Sequence, residues 1–318
     1  MEENSKQIIN KVTTSYLTIG IYTYNAEVFI EESLNSIQSK FEKNIQLIIS
    51  DDASTDETVS KINHWIEQNK NRFLEVLFLQ TTINKGLVGN LNNSIKYING
   101  EWFKPVSGDD VFPLNCIDKI IGETENYKTA KIILGLCKLF GDTPNQGKTI
   151  LKQSSIDFLK KNDQIECQIE WLLGGHYFPA PGFLYKTSLI KELNGFETEF
   201  PDFEDVPFQL KFLFAGNKIS FSNEIFINYR KHDDGLSNFT EFIVHPKFLI
   251  VQKLLLRYAK KYGKIKFILN LNWNILFARI ILIFGNRNRI CQLLEMIRRK
   301  FQPKKIFNLI GEINVQKI

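Results

Sequence analysis

Over the first hundred or so residues, short runs of β-branched and aromatic side chains alternate with stretches whose apolar positions recur every three or four residues. Residues 16–24 (YLTIGIYTY) read as a buried strand. Over residues 26–40, Val28, Ile30, Leu34 and Ile37 keep close to helical spacing, and residues 45–49 form a second apolar run. A polar turn follows at 51–56, where Ser54-Thr55-Asp56-Glu57 predicts a capping box opening a helix through Val59, Ile62 and Ile66. Residues 74–79 predict a third strand and 87–98 a helix entered through Asn84-Lys85-Gly86. Residues 102–106 predict a short fourth strand ending at Ser107-Gly108-Asp109-Asp110. Strands alternating with helices imply an α/β fold, a parallel sheet with helices on its faces.

Beyond Asp110 the pattern loosens. Residues 132–140 predict a strand, 141–148 (GDTPNQGK) a turn-rich connection, and 187–193 a short helix. Phe203-Glu204-Asp205 opens another helix through Phe208, Phe212 and Leu213, and residues 225–229 form a last strand before Arg230-Lys231-His232. The segment 171–182 (WLLGGHYFPAPG) concentrates Gly, Pro and aromatic residues, as a substrate-lining loop does; Trp171 and His176 are its candidate acceptor contacts. Further on, residues 248–258 are apolar around Lys253 and Arg257. Ile290, Leu293, Leu294, Ile297 and Phe301 then trace an amphipathic helix with Arg298, Arg299 and Lys300 beside its stripe, and Ile306, Leu309, Ile310 and Ile313 repeat the spacing.

Composition adds one strong asymmetry. The 318 residues are 43% hydrophobic and 24% charged, as in an ordinary folded protein, and the net charge is +5. Residues 247–318 hold 16 Lys+Arg and 2 acids, a net +14, which leaves −9 for residues 1–246. An acidic body with a basic tail excludes a uniformly cationic protein and asks which anionic surface the tail meets. Cys116, Cys137, Cys167 and Cys291 lack the spacing of a disulfide framework or a zinc site, and predict buried thiols in a reducing compartment. Residues 1–15 lack the apolar core of a signal peptide. The most apolar window, 267–285, is interrupted by Asn270, Asn272, Asn274 and Arg279, which argues against a membrane span. The expected location is the cytoplasm.

In parallel sheets, ligands sit beyond the carboxyl ends of the strands. Tyr24, Asp51/Asp52 and Asp109/Asp110 all fall at such ends, so three strands deliver an aromatic ring and two carboxylate pairs to one rim. Two readings fit Asp109/Asp110. One is a solvated acidic turn. The other is a cation site, because adjacent carboxylates repel unless neutralised, and oxygen donors suit Mg²⁺ or Mn²⁺ shared with substrate phosphates better than zinc. Asp51/Asp52 can serve a helix cap; with Ser54 and Glu57 assigned to the capping box, Asp52 is spare to accept a hydrogen bond from a nucleobase imide. Glu204-Asp205, read alone, complements a helix N-terminus, where acids favour the macrodipole.

Taken together, Thr23-Tyr24-Asn25, the run from Ser50 through Asp51-Asp52 to Asp56, Asn84-Lys85-Gly86 and Ser107-Gly108-Asp109-Asp110 resemble the family 2 nucleotide-sugar glycosyltransferases of GT-A fold. Pro179-Ala180-Pro181-Gly182, Asn194-Gly195-Phe196, Glu204-Asp205 and Tyr229-Arg230-Lys231-His232 continue the resemblance in the same order, over residues 16–237. Each motif alone is weak, and eight in register are strong.

The resemblance implies a GT-A catalytic domain over 1–240, with a nucleotide-sugar half at 16–110 and an acceptor half at 111–240, and a basic helical extension over 241–318. It implies that Tyr24 lies against the base, Asp52 bonds the uracil, Asp109 contacts ribose or sugar and Asp110 binds the metal, Mn²⁺ or Mg²⁺. It also implies that Asp205 is the catalytic base, with Glu204 beside it on the acceptor side. For His232 two readings remain, a further metal or phosphate contact and a hydrogen-bonded structural residue. The sequence departs from the family pattern at Leu87-Val88-Gly89-Asn90, at Lys211 where Arg is frequent, and at Asn194-Gly195 in place of Gly-Gly.

The implied reaction is a single in-line displacement that inverts the anomeric centre of a UDP-sugar. The acceptor would be a saccharide, lipid-linked in bacterial relatives that build O-antigen or capsule at the inner membrane face. A dehydrogenase is excluded by the missing GxGxxG after the first strand, whereas a nucleotidyltransferase or a non-catalytic nucleotide-sugar-binding scaffold shares part of the pattern. For the basic tail two readings stand, packing on the catalytic domain or attachment to anionic lipid. Nucleic acid is disfavoured, since no binding motif accompanies the charge.

Overall fold

The computed structural model describes residues 16–200, 204–232, 243–244, 246–286 and 288–302. The first half alternates β1 (Leu17–Thr23), α1 (Ile30–Asn35), β2 (Ile45–Asp51), α2 (Thr58–Asn69), β3 (Glu75–Gln80), α3 (Gly86–Ser94) and β4 (Trp102–Ser107). Then come α4 (Cys116–Asn126), β5 (Ile132–Gly141), α5 (Gln153–Lys161), α6 (Ile165–Leu173), β6 (Phe183–Lys186), α7 (Thr187–Glu192), α8 (Asp205–Phe214) and β7 (Ser220–Lys231). Three further helices follow: α9 (Pro246–Lys261), α10 (Ile265–Ile283) and α11 (Arg289–Lys300). The strands form one seven-stranded sheet in the order β3-β2-β1-β4-β6-β5-β7. β3, β2, β1 and β4 run parallel, β6 is antiparallel to β4 and β5, and β7 returns parallel to β5. This is a GT-A architecture, a mostly parallel sheet flanked by helices with helices appended at the C-terminal side.

β1 and β2 are buried along their whole length, because helices cover both faces of the sheet. Alternation sorts their side chains into two cores. Ile19, Ile21, Leu47 and Ile49 pack on one face with α1, α2 and α4, while Tyr22, Ile48 and Phe103 join the other with α3 and α5–α8. The buried Thr18 of β1 is paired: its Oγ1 donates to Gln46 Oε1 at 2.6 Å and accepts from Gly100 N at 2.8 Å.

Several elements differ from the sequence expectation. α1 is one and a half turns long rather than spanning 26–40, and the helix expected through 98 ends at Ser94 in a 3₁₀ turn, Ile95–Tyr97. The capping box is absent. Ser54 is held by Asp51 and Asn25, α2 starts at Thr58, and it is Asp56 Oδ1 that accepts from Thr58 N at 3.0 Å. The last strand is twelve residues rather than five, with bulges against β5, since its paired neighbour supports it beyond the apolar run. Trp171 lies on α6 rather than in a loop. Residues 306–313, expected to form an amphipathic helix, lie outside the described residues.

α9 lays Leu254, Leu255 and Ala259 into the main core, and the first half of α10 adds Phe267 and Leu271. A separate small cluster of Val244, Ala278, Ile281 and Cys291 holds the far end of α10 to α11.

Candidate active site

Backbone bonds close the rim where β1, β2 and β4 end. Asp52 N donates to Thr23 O at 3.0 Å, and Gly108 N donates to Tyr22 O at 2.8 Å. Just past β1, Tyr24 stands 50% exposed, an aromatic face open to a ligand. Asn25 (φ 48°) and Ala53 (φ 63°) are both left-handed, a costly conformation for Ala, and strain of this kind clusters at binding sites. Hydrogen bonds hold it in place: Asn25 N donates to Ser54 Oγ at 2.8 Å, and Thr55 N donates to Asn25 Oδ1 at 2.9 Å.

The two acids after β2 divide the work. Asp51 is fully buried and accepts from Ser54 N at 3.0 Å, so it shapes the turn. Asp52 is 3% exposed; its carboxylate accepts from Lys85 N at 3.0 Å to each oxygen and from Thr81 Oγ1 at 3.1 Å. Gly86 takes φ 73° as the chain turns from Lys85 into α3. Asp52 is therefore not spare, yet a carboxylate offers about four lone-pair positions, which leaves capacity for a ligand donor. In the departure from the usual motif, Asn90 Nδ2 donates to Ser50 O at 3.0 Å and anchors the end of β2.

Asp109 and Asp110 follow β4. Asp110 is 1% exposed and its Oδ1 accepts from Arg230 N at 2.9 Å. Asp110 Oδ2 and Asp109 Oδ1 are buried without a hydrogen-bond partner among the described residues. Burial, and then the neighbouring Asp109 charge, raise the Asp110 carboxyl well above the usual range. His232 Nε2 lies 3.0 Å from Asp109 Oδ2, with its ring 4.6 Å from that of Phe29. Two orphaned carboxylate oxygens on adjacent residues have the donor chemistry a hard divalent ion takes, although no cluster of three or more protein ligands appears among the described residues.

Arg230 was quoted in a motif but given no role by the sequence. Its Nε donates to Asp109 O at 2.7 Å, its guanidinium lies 4.8 Å from the Phe29 ring and 4.4 Å from the Phe140 ring, and its Nη2 reaches Glu32 of α1 at 2.5 Å. It thus ties α1, β7 and the acidic turn together. Lys104 also went unnoticed. This fully buried lysine of β4 donates to Pro105 O at 3.3 Å and to Pro181 O at 2.5 Å, and burial pushes its amine down to about 8. A strand lysine between apolar neighbours carries no sequence signal for this.

The second acidic centre opens α8. Glu204 and Asp205 are half-buried, and Asp205 Oδ1 accepts from Val206 N at 2.7 Å. Burial and then the Asp205 charge push Glu204 up to about 8; burial raises Asp205 as well. Tyr177 and Tyr185 feel the same charge: burial and then Asp205 push the Tyr177 phenol up to about 12. Gln209 of α8 donates through Nε2 to Phe178 O at 2.8 Å, so the segment carrying Tyr177 is pinned to the acid-bearing helix, while Lys104 pins its other end to β4. Trp171 and His176 are brought together, the indole stacked between Phe158 at 4.3 Å and His176 at 4.2 Å. Asn194 (φ 54°) and Gly195 (φ 69°) are consecutive left-handed residues, and Asn tolerates that conformation well enough to stand where Gly is usual. Lys211 reaches Gly195 O at 3.1 Å and Glu197 at 2.8 Å.

Residues 18–193 match the profile of Glycosyl transferase family 2. Among curated relatives, the GalNAc(5)-diNAcBac-PP-undecaprenol beta-1,3-glucosyltransferase of Campylobacter jejuni is 31% identical over 94 residues, 30% of this chain and 29% of that protein. Across three bacterial relatives the chain spans 31%, 45% and 29% of the relative's own length. Among solved structures, S. aureus TarS 1–349 in complex with UDP-GlcNAc aligns with TM-score 0.60 at 20% identity, over 83% of this chain and 72% of that one. The mannosyltransferase PcManGT of Pyrobaculum calidifontis, in complex with GDP-Man and Mn²⁺, aligns with TM-score 0.55 at 16% identity, over 96% and 82%. A profile match over more than half of the chain, borne on a GT-A sheet, makes this protein a member of glycosyl transferase family 2.

Proposed function

We propose that this chain is an inverting, metal-dependent glycosyltransferase that moves a sugar from a UDP-sugar to a hydroxyl of a saccharide acceptor, lipid-linked, in the synthesis of bacterial surface polysaccharide. The observation that carries the reading is the pair of orphaned buried oxygens on Asp109 and Asp110, at the same rim as the exposed Tyr24 ring. Tyr24 stacks on the base and Asp52 receives the uracil imide. Asp109 meets the ribose or sugar. Asp110, with His232 nearby, holds Mn²⁺ or Mg²⁺, which would stabilise charge growing on the leaving diphosphate. Residues 16–110 serve the donor and residues 111–240 the acceptor.

On the acceptor side, Asp205 accepts the proton of the attacking hydroxyl. Glu204 suits the role of its protonated neighbour, because the Asp205 charge is among the causes that raise Glu204. Trp171, covered on both faces, positions the exposed His176 ring as the one that meets a sugar. One base and one leaving group on opposite sides of the anomeric carbon give inversion, so an α-linked donor yields a β-linked product.

Three likenesses support the assignment of partners: a neighbour bound to UDP-GlcNAc, another to GDP-Man and Mn²⁺, and a relative named for an undecaprenol-linked acceptor. A lipid-linked acceptor places the protein on the inner face of the cell membrane, held peripherally by its basic C-terminal helices. The test is UDP release from a panel of UDP-sugars with Mn²⁺. Wild type should release UDP from at least one donor, and Asp205→Asn should abolish release while keeping UDP affinity. Near-normal turnover by Asp205→Asn would remove the base assignment.

A further inference from the structure

α10 carries apolar residues on its outer face as well as on the face that packs on the protein. Two of its asparagines point inward: Asn270 and Asn274 are 2% and 6% exposed, Asn274 Nδ2 donates to Gln252 Oε1 at 2.9 Å, and Asn274 Oδ1 accepts from Arg298 Nη1 at 2.7 Å. Phe267, Leu271, Ile275 and Ile281 are buried, but four other large apolar residues point outward: Ile265, Leu269, Leu276 and Ile283 are 70%, 44%, 52% and 80% exposed. At about 100° per residue these four fall within about 40° of one another around the helix axis, a stripe of spaced apolar residues on one side of the helix. Asn272 and Arg279, both exposed, border the stripe. A helix on a water-facing surface keeps its apolar residues inward and its outer face polar, whereas α10 is apolar on both. Of the four polar interruptions that argued against membrane contact in the sequence, Asn270 and Asn274 are therefore turned away from the surface, while Asn272 and Arg279 stay at its edge.

The charge around the stripe names its partner. The single acid in residues 246–302 is Glu295, 7% exposed and held by Arg298 at 2.7 Å and Arg299 at 2.6 Å. Its carboxylate is thus neutralised within the fold, while Lys266, Arg279, Arg289 and Lys300 stay exposed. α11 adds Leu293 and Met296, 51% and 58% exposed. An apolar ridge flanked by cations, with no outward carboxylate among the described residues of this region, complements an anionic bilayer surface.

We infer that the outward stripe of α10 is the surface that enters the headgroup–acyl boundary of an anionic membrane, with α10 lying along the plane and the basic residues of α10 and α11 meeting lipid phosphates. The inference rests on the peripheral-membrane reading above and replaces its site: the stripe of α10 leads, rather than the amphipathic pattern of α11 and residues 306–313.

The full chain would be sedimented with vesicles of mixed phosphatidylglycerol and phosphatidylethanolamine, and with vesicles of phosphatidylcholine alone. Wild type should bind the anionic vesicles selectively. The double variant Leu276→Gln/Ile283→Gln should partition about tenfold more weakly, since apolar area sets the insertion term. Its melting temperature should stay within a degree or two of wild type, because both side chains are exposed in the fold. A Leu276→Trp reporter should shift its emission to the blue on the anionic vesicles. Wild-type-like partitioning of the double variant overturns the inference while leaving the membrane reading standing. Loss of binding on removal of residues 303–318 with the double variant unaffected does the same, as does a dimer in solution that the double variant dissociates. Wild type that binds no vesicle removes both readings.

Discussion

Replacing Glu204 with glutamine keeps the shape of the side chain and removes one of two adjacent acids at the start of α8. Burial and then the Asp205 charge push Glu204 up to about 8, against 4.5 for a free side chain, so between these values the folded pair holds a proton that the unfolded chain has lost. Stability then falls as pH rises across that window, because the folded state binds more protons there. At about 1.36 kcal/mol per pH unit, the full displacement is worth about 5 kcal/mol above pH 8 and about 3 kcal/mol by pH 7. Water at this half-buried pair, and sharing of the proton with Asp205, reduce the expected difference to about 1–3 kcal/mol at pH 7. Urea unfolding of wild type and Glu204→Gln, followed by tryptophan fluorescence from pH 4 to pH 8, measures it directly. The variant should match wild type at the acid end and gain steadily towards pH 8. A gap that stays constant across the range, or a variant less stable at pH 8, would refute the argument that the pair is strained by its own charge.

Asp110→Asn should raise the melting temperature of the metal-free protein at neutral pH, because it removes a buried carboxyl that burial and Asp109 disfavour, yet it should lose the thermal gain that Mn²⁺ with UDP gives wild type. Arg230→Met should weaken Mn²⁺-dependent UDP binding by about tenfold in calorimetry, and Glu32→Gln by about threefold, since the guanidinium that holds Asp109 O is itself held by Glu32. In Gly182→Ala the new methyl would lie 2.5 Å from Gly135 O and 3.0 Å from Cys137 Sγ, so the turn that Lys104 anchors must lift; urea unfolding should show a loss of about 1–3 kcal/mol.

Much of the nucleotide half was readable from the chain because its signals are local. A buried parallel strand such as β1 shows as a continuous apolar run, and its loop acids stand out at the end of it. The position of Asp110 at a strand end needed nothing beyond residues 102–110. Contacts that depend on tertiary placement were not readable. Ser54 fits a capping box by spacing, but Asn25 and Asp51 reach it first through the fold. Arg230 and Glu32 lie 198 residues apart, and only the return of β7 beside β5 brings that cation over the acidic turn. Lys104 lies inside the predicted fourth strand with no local signal for its partner, because its bond to Pro181 O is made far along the sequence. The outward apolar residues of α10 escaped for a related reason: the hydrophobic count of a helix does not say which side its asparagines face.

The central claim is that the rim at Asp109–Asp110 binds a nucleoside diphosphate together with a divalent ion. Titration calorimetry of the full chain with UDP, in Mn²⁺ and again in EDTA, tests it most directly when Asp110→Ala is run beside wild type. The account predicts that wild type binds UDP in Mn²⁺ and loses at least about tenfold in affinity in EDTA, while Asp110→Ala binds weakly and equally in both. Wild-type affinity unchanged by EDTA, or Asp110→Ala indistinguishable from wild type in Mn²⁺, would contradict it.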